Sequence, residues 1–219
     1  MTTRLEQLFQ LVESAFPQGK VSLENKIVVL TSSDWDWITT AQTLRDDEKF
    51  LFSQLLDLTV VDYLGYGQSE WNVSSVSETG FGRAGEFDHP HEEPSSRFSV
   101  VVHLLSVELN QRIRLKVALP NNGTPALPSL IEIWRNVDWY EREAFDLFGV
   151  HFEGHPRLSR ILTDYDFEGH PFRKDYPTEG HLEMVYDEEK QEVVYRPVSI
   201  KVSPNVPRVI RHQPGGGRG

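Results

Sequence analysis

Apolar residues recur with helical spacing at the start of the chain. Leu5, Leu8, Phe9, Val12 and Phe16 share one face, and Pro17 and Gly19 close the run, so 3–16 is predicted as an amphipathic helix. Residues 21–31 (VSLENKIVVLT) read as a turn at Glu24–Asn25 and then a strand from Ile27 to Leu30. A second helix is predicted from Ser33, with Asp36 completing a capping box and Trp37, Ile38, Ala41 and Leu44 turned inward. Residues 54–64 read as a strand with Leu56, Leu58 and Val60 on one face.

Periodicity then lapses. Residues 65–96 are rich in Gly and Ser and are predicted as a long loop or a hairpin with a flexible tip. Order returns with RFSVVVHLLSV (97–107) and QRIRLKVAL (111–119), which form a hairpin across a tight ELNQ connection. In the second strand Ile113, Leu115 and Val117 point one way and Arg112, Arg114 and Lys116 the other. The cationic row is either a solvated sheet face or a docking face for an acidic partner.

PSLIEIW (128–134) is predicted as a short helix opening at Pro128. A further helix starts at Asn136 or Asp138. With Asp138 as N-cap, Glu141 stands at N3 of a capping box, and Gly149 is the stop. Tyr140, Ala144, Leu147 and Phe148 are its core face, while Arg142 and Asp146 are spaced to pair. Beyond Gly149 the chain reads as extended and turn-rich for some 70 residues, too long for a loop within one compact domain. The predicted class is therefore α+β. A two-layer domain over 1–152, an antiparallel or mixed sheet covered by helices, carries a long extended arm over 153–219 that binds a partner and ends flexibly.

Composition narrows the chemistry. The chain has 219 residues and no Cys, which excludes disulfides, thiolate zinc sites, cysteine nucleophiles and the usual iron–sulfur ligation. A net charge of −11 argues against nucleic acid as a partner. The acidic excess lies in 1–152 and again in 183–192, whereas 196–219 carries Arg196, Lys201, Arg208, Arg211 and Arg218 without an acid. Such a bipolar tail is an interaction arm or a solvated terminus. No apolar run approaches the ~20 residues that span a bilayer, and the start lacks signal or transit character. The expectation is a soluble cytoplasmic protein, or one held at a membrane only through a partner.

Two places invite a metal. DHPHEEP (88–94) sets His89, His91, Glu92 and Glu93 in a loop where ordering a site would cost entropy. The pentapeptide FEGHP occurs twice, from Phe152 and from Phe167, bringing Glu153, His155, Glu168 and His170 near Asp146, Asp164 and Asp166. A hydrolytic centre needs about three converging ligands on rigid elements. Here each His follows a Gly that permits positive φ and precedes a Pro that disfavours helix. That spacing favours tight turns over a metal or acid–base site, and a metal-dependent hydrolase using His155 and His170 remains the rival reading.

The stretch IEIW (131–134) followed by WYEREAFDLFGVHFEGHPRLSRILTDYDFEGHPFRKDYP (139–177) closely resembles one family of the bacterial proton-pumping NADH:quinone oxidoreductase, respiratory complex I. It is the family of the C subunit, whose mitochondrial counterpart is the 30 kDa subunit. The matching signature is Glu141, Arg142, Glu143, Asp146, Leu147 and Phe148, then His155, Arg160, Ile161 and Leu162, and continues through EGHP-x-RKDYP. The hairpin at 97–117 and YDEEKQEVVYRPVSI look like the family too; the long loop at 65–96 and the terminal PGGGRG depart from it.

The resemblance implies a non-catalytic subunit of an oxidoreductase, in the peripheral arm on the cytoplasmic face of the bacterial inner membrane. NADH is oxidised and quinone, such as ubiquinone, reduced elsewhere in the complex, with proton translocation. It implies no cofactor in this chain, flavin and iron–sulfur clusters belonging to partner subunits. The implied partners are chiefly the quinone-site subunit, gripped by the arm, with the adjacent cluster-bearing subunits. Glu141, Arg142, Glu143, Asp146, His155, Arg160, His170, Arg173, Lys174 and Asp175 are the expected signature or interface residues. Related scaffolds occur in membrane-bound hydrogenases and photosynthetic NDH complexes, which this signature separates poorly.

Overall fold

The computed structural model describes residues 4–32, 36–66, 96–121 and 123–199. The long loop and the DHPHEEP stretch fall almost wholly outside the described residues, as does the chain from 200 onward.

The chain forms two compact units, 1–176 and 177–219. The first is built on a mixed five-stranded sheet with strand order β1-β2-β5-β4-β3. Its strands are β1 (Lys20–Glu24), β2 (Ile27–Ser32), β3 (Gln54–Asp62), β4 (Phe98–Ser106) and β5 (Gln111–Ala118). Helices α1 (Arg4–Ala15), α2 (Trp37–Asp46) and α3 (Val137–Phe148) bury their apolar residues with the inward row of the sheet. β2 and β5 pair in parallel, and the other neighbours are antiparallel.

Local chemistry explains the elements. β1 was not expected as a strand. It pairs with β2 across a two-residue turn in which Asn25 and Lys26 both take positive φ, 50° and 64°, the geometry that matches strand twist. Asp36 is itself the N-cap of α2, accepting from the Thr39 amide at 3.2 Å, rather than the third residue of a capping box.

In β3 a register shift between Leu55 and Asp57 changes which residues face inward. Leu55 is therefore buried beside Leu58 and Val60, and Leu56 is exposed, contrary to simple alternation. In β5 the predicted alternation holds: Ile113, Leu115 and Val117 join the core. On the outer face Lys116 and Arg114 meet Glu24 at 2.9 and 3.4 Å, so two of the three cations are paired within the chain.

The segment predicted as a helix at 128–134 is not one. It opens with a short strand, β6 (Ala126–Pro128), which pairs in parallel with β7 (His151–Glu153), and continues as turns. Side-chain hydrogen bonds with the rest of the domain hold it in this form. Trp134 Nε1 donates to the Phe52 carbonyl at 3.1 Å, Arg45 donates to the Ile133 carbonyl at 2.9 Å, and Trp37 Nε1 donates to the Pro128 carbonyl at 3.1 Å. These contacts offset the hydrogen bonds the segment forgoes. The second unit contains the hairpin β8 (Leu182–Asp187) and β9 (Glu192–Pro197).

Candidate functional site

The charged residues of the signature gather along α3. The N-cap is Asn136, whose side chain makes no capping bond and donates instead to the Leu55 carbonyl at 2.7 Å. Glu141 therefore does not close a capping box; it turns inward and is fully buried. Its Oε1 accepts from the Leu130 amide at 2.7 Å, and its Oε2 lies 2.6 Å from Ser129 Oγ. Strand β7, held on β6, brings the first FEGHP turn alongside: Phe152 enters the core and the His155 side chain is completely covered. His155 Nε2 stands 3.0 Å from Asp138 Oδ1 and 4.0 Å from Glu141 Oε2, yet makes no aligned hydrogen bond among the described residues. Burial pushes Glu141 up to about 7; the Ser129 and Leu130 donors oppose the rise and neighbouring Asp138 adds to it. Burial also lowers His155, against the attraction of Asp138.

At the other end of α3, Asp146 is equally buried but surrounded by donors. Its Oδ2 accepts from the amides of Ile161, Leu162 and Thr163 at 3.0, 2.8 and 2.9 Å. Its Oδ1 takes Arg160 Nη1 at 2.9 Å and the Thr163 hydroxyl. Burial alone would raise this carboxyl; the Thr163 hydroxyl and the three amides outweigh it and hold the group well below the usual carboxylate range.

The second FEGHP turn then closes the helix. Four carbonyls at a helix end have no intrahelical donor. His170 Nδ1 donates to the Asp146 carbonyl at 2.9 Å, the Phe172 amide to Leu147 at 3.1 Å, and Arg173 Nε to Phe148 at 2.6 Å. Gly149 takes φ +71°, and an added Cβ would collide with His170 Nε2 and Arg173 Nη2. The two copies of FEGHP are thus turns set at opposite ends of one helix.

The RKDYP run is engaged within the chain as well. Asp62, at the end of β3, accepts Arg97 Nε at 3.0 Å and Nη2 at 2.9 Å, and the Lys174 amide at 2.9 Å. Asp175 meets the same Arg97 at 3.0 Å. The guanidiniums of Arg97 and Arg173 lie 4.6 and 5.2 Å from the Phe98 ring, a cation–π pair of contacts. Burial works to raise Asp62, but Arg97 and the amides of Lys174 and Leu64 bring it below its ordinary value.

Of the ten expected residues, eight make or closely approach an internal polar contact, whereas the side chains of Glu143 and Lys174 are exposed. The Arg142–Asp146 pair expected from helical spacing does not form. Arg142 donates to the Ser159 carbonyl at 3.2 Å and lies over Trp139, while Asp146 is held by Arg160. Asp138, Ser129, Ser159, Thr163, Asp62 and Arg97 were not foreseen as members of the site; the signature residues they meet lie 12 to 112 positions away, beyond any local pattern.

His155 and His170 contact α3 at Asp138 and Asp146, about 12 Å apart along the axis at 1.5 Å per residue. Among the described residues no group of three or more His, Asp or Glu is placed to hold a metal ion, so the hydrolase centre finds no geometry there. Among the same residues no helix is long and apolar enough to cross a membrane.

Comparison with known proteins agrees with the signature. Residues 30–182 match the family model described as the respiratory-chain NADH dehydrogenase 30 Kd subunit. The C subunit of NADH-quinone oxidoreductase from Burkholderia multivorans (strain ATCC 17616 / 249) is 46% identical, covering 99% of this chain and 98% of that protein. Its counterpart from Xylella fastidiosa (strain M23) is 46% identical over 93% of this chain and 86% of its own length. A chain from the structure of the membrane-bound sulfane sulfur reductase, an archaeal respiratory membrane complex, shares the fold. Its TM-score is 0.51 at 20% identity, covering 80% of this chain and 86% of that one.

Proposed function

Because the chain belongs to the family of the 30 Kd subunit of respiratory-chain NADH dehydrogenase, and is thus a subunit of an oxidoreductase complex, we propose that it is a non-catalytic member of the peripheral arm that holds the quinone-site subunit. The relatives' names favour an NADH–quinone complex over a hydrogenase-type assembly. In this reading NADH oxidation, quinone reduction and proton translocation belong to the assembled complex, and flavin and clusters to neighbouring subunits. The chain lies on the cytoplasmic face of the inner membrane through those neighbours.

One observation carries the docking role. Cross-strand pairing in β8–β9 aligns Met184 with Tyr195 and Tyr186 with Val193. All four are more than half exposed, as is Leu182. A two-stranded hairpin is marginal in water by itself, and a contiguous exposed apolar face of this kind is what a partner surface covers. The exposed side chains of Glu143 and Lys174 are the polar contacts we assign to neighbouring subunits. The buried α3 cluster has a structural task in this reading, since its charges are taken up by backbone groups and by each other. Deleting residues 178–219 and capturing the quinone-site subunit from co-expressing cells tests the proposal: association is expected to fall strongly, and wild-type capture would contradict it.

A further inference from the structure

Glu141 and Asp146 are both fully buried on α3, yet among the described residues only Asp146 has an Arg or Lys in contact. The oxygens of Glu141 meet two neutral donors, the Leu130 amide and the Ser129 hydroxyl. Its charged neighbours do not help. Asp138 on the same helix is negative, and Arg142 is turned to Ser159. β3 packs against α3, but its Asp62 is held by Arg97 and its Asp57 lies near His103. β7 supplies His151 and Glu153, both exposed.

His155, from the turn after β7, is the remaining candidate for a positive charge among the described residues, and its geometry keeps it neutral. Nδ1 accepts the Arg157 amide at 3.1 Å, so this nitrogen carries no proton. The single ring proton is then on Nε2, the covered and unpartnered atom aimed between Asp138 and Glu141.

We propose that Glu141 is a proton-binding site: below neutral pH it is a neutral carboxylic acid, and its ionisation, which puts a second negative charge beside Asp138 with no cation in contact among the described residues, destabilises the packing of the first FEGHP turn on α3. Ser129 Oγ donates to the ionised Glu141 Oε2 across 2.6 Å; in the neutral acid the hydroxyl turns and its oxygen accepts the acid proton, as it already accepts the Ile131 amide at 3.2 Å. On ionisation a second carboxylate appears beside Asp138, with the neutral imidazole of His155 4.0 Å away. The displacement of the titration agrees in sign, since burial moves Glu141 from an ordinary 4.5 to about 7. Folding stability from this group is complete below about 4.5 and is lost as pH rises through about 7.

The test compares the full chain with Glu141→Gln, which keeps the shape and stays uncharged. Urea unfolding at about pH 5 and about pH 8.5 gives the ratio of their folding constants, from which all other titrating groups cancel. The wild-type constant should fall relative to the variant by roughly a hundredfold between the two conditions. A ratio that is constant, or that moves the other way, overturns the proposal. Should the variant fail to fold, a pH titration of the wild-type chain labelled with carbon-13 at glutamate carboxyls decides. One resonance titrating near neutrality supports the site, and ordinary values for all of them overturn it. An imidazolium signal from His155 at neutral pH also overturns it.

Discussion

Around α3 the carbonyls of Asp146, Leu147, Phe148 and Gly149 each find a donor from residues 160–173, and Asp146 holds five donors of its own. Along β8–β9, Leu182, Met184, Tyr186, Val193 and Tyr195 stand exposed. The first region is chemically closed and the second open. The contrast separates two reasons for a residue to matter. Arg160, His170 and Arg173 lie in a signature that invites a binding or catalytic reading, but their hydrogen bonds complete the fold. The hairpin carries no buried charge cluster of this kind, yet it leaves apolar surface that the described residues do not cover.

The largest effect is expected where the closed region would be opened. Asp146→Ala removes the acceptor of three amides, a hydroxyl and Arg160 at once. Leaving three amides, a hydroxyl and the part-buried Arg160 without this acceptor should cost about 3–5 kcal/mol in urea unfolding. Asp146 also sets an acid limit. Its folded value is depressed, so its stabilisation is present above the ordinary carboxylate value of 3.8 and is lost as pH falls through the lower folded one. The difference between wild type and Asp146→Asn should therefore shrink in acid, opposite in direction to the Glu141→Gln comparison.

Gly149→Ala comes next. The left-handed backbone and the filled space beside His170 and Arg173 should together cost about 1–3 kcal/mol. A neutral result in the same unfolding assay would mean that the second FEGHP turn lifts off the helix end readily. Lys174→Ala should be the mildest of the three. Its amide serves Asp62 whatever the side chain, so the unfolding midpoint should stay put while capture of the quinone-site subunit weakens. A shifted midpoint with unaltered capture would move Lys174 into the closed region.

Much of this organisation was legible in the chain. Alternation located Ile113, Leu115 and Val117, and the stop at Gly149 followed from its residue type. Gly and Pro around each His identified the FEGHP copies as turns. The failures have physical causes. Asp138 and Glu141 have the spacing of a capping box, but burying Glu141 against Ser129 and Leu130 won over the local bond. Arg142 and Asp146 are spaced to pair, but each found a better partner across a turn. The phase of β3 slipped because a bulge leaves no mark in its apolar pattern. The link from Arg97 to Asp62 spans 35 positions, a distance at which no periodicity speaks.

The separation between a closed frame and an open hairpin is tested most directly by the double substitution Tyr186→Ser and Tyr195→Ser in the full chain, with folding and capture of the quinone-site subunit measured on the same preparation. The unfolding transition of residues 1–176 should be unchanged, and capture should fall at least tenfold. Full capture, or a loss of capture that merely follows a loss of folding, would contradict it.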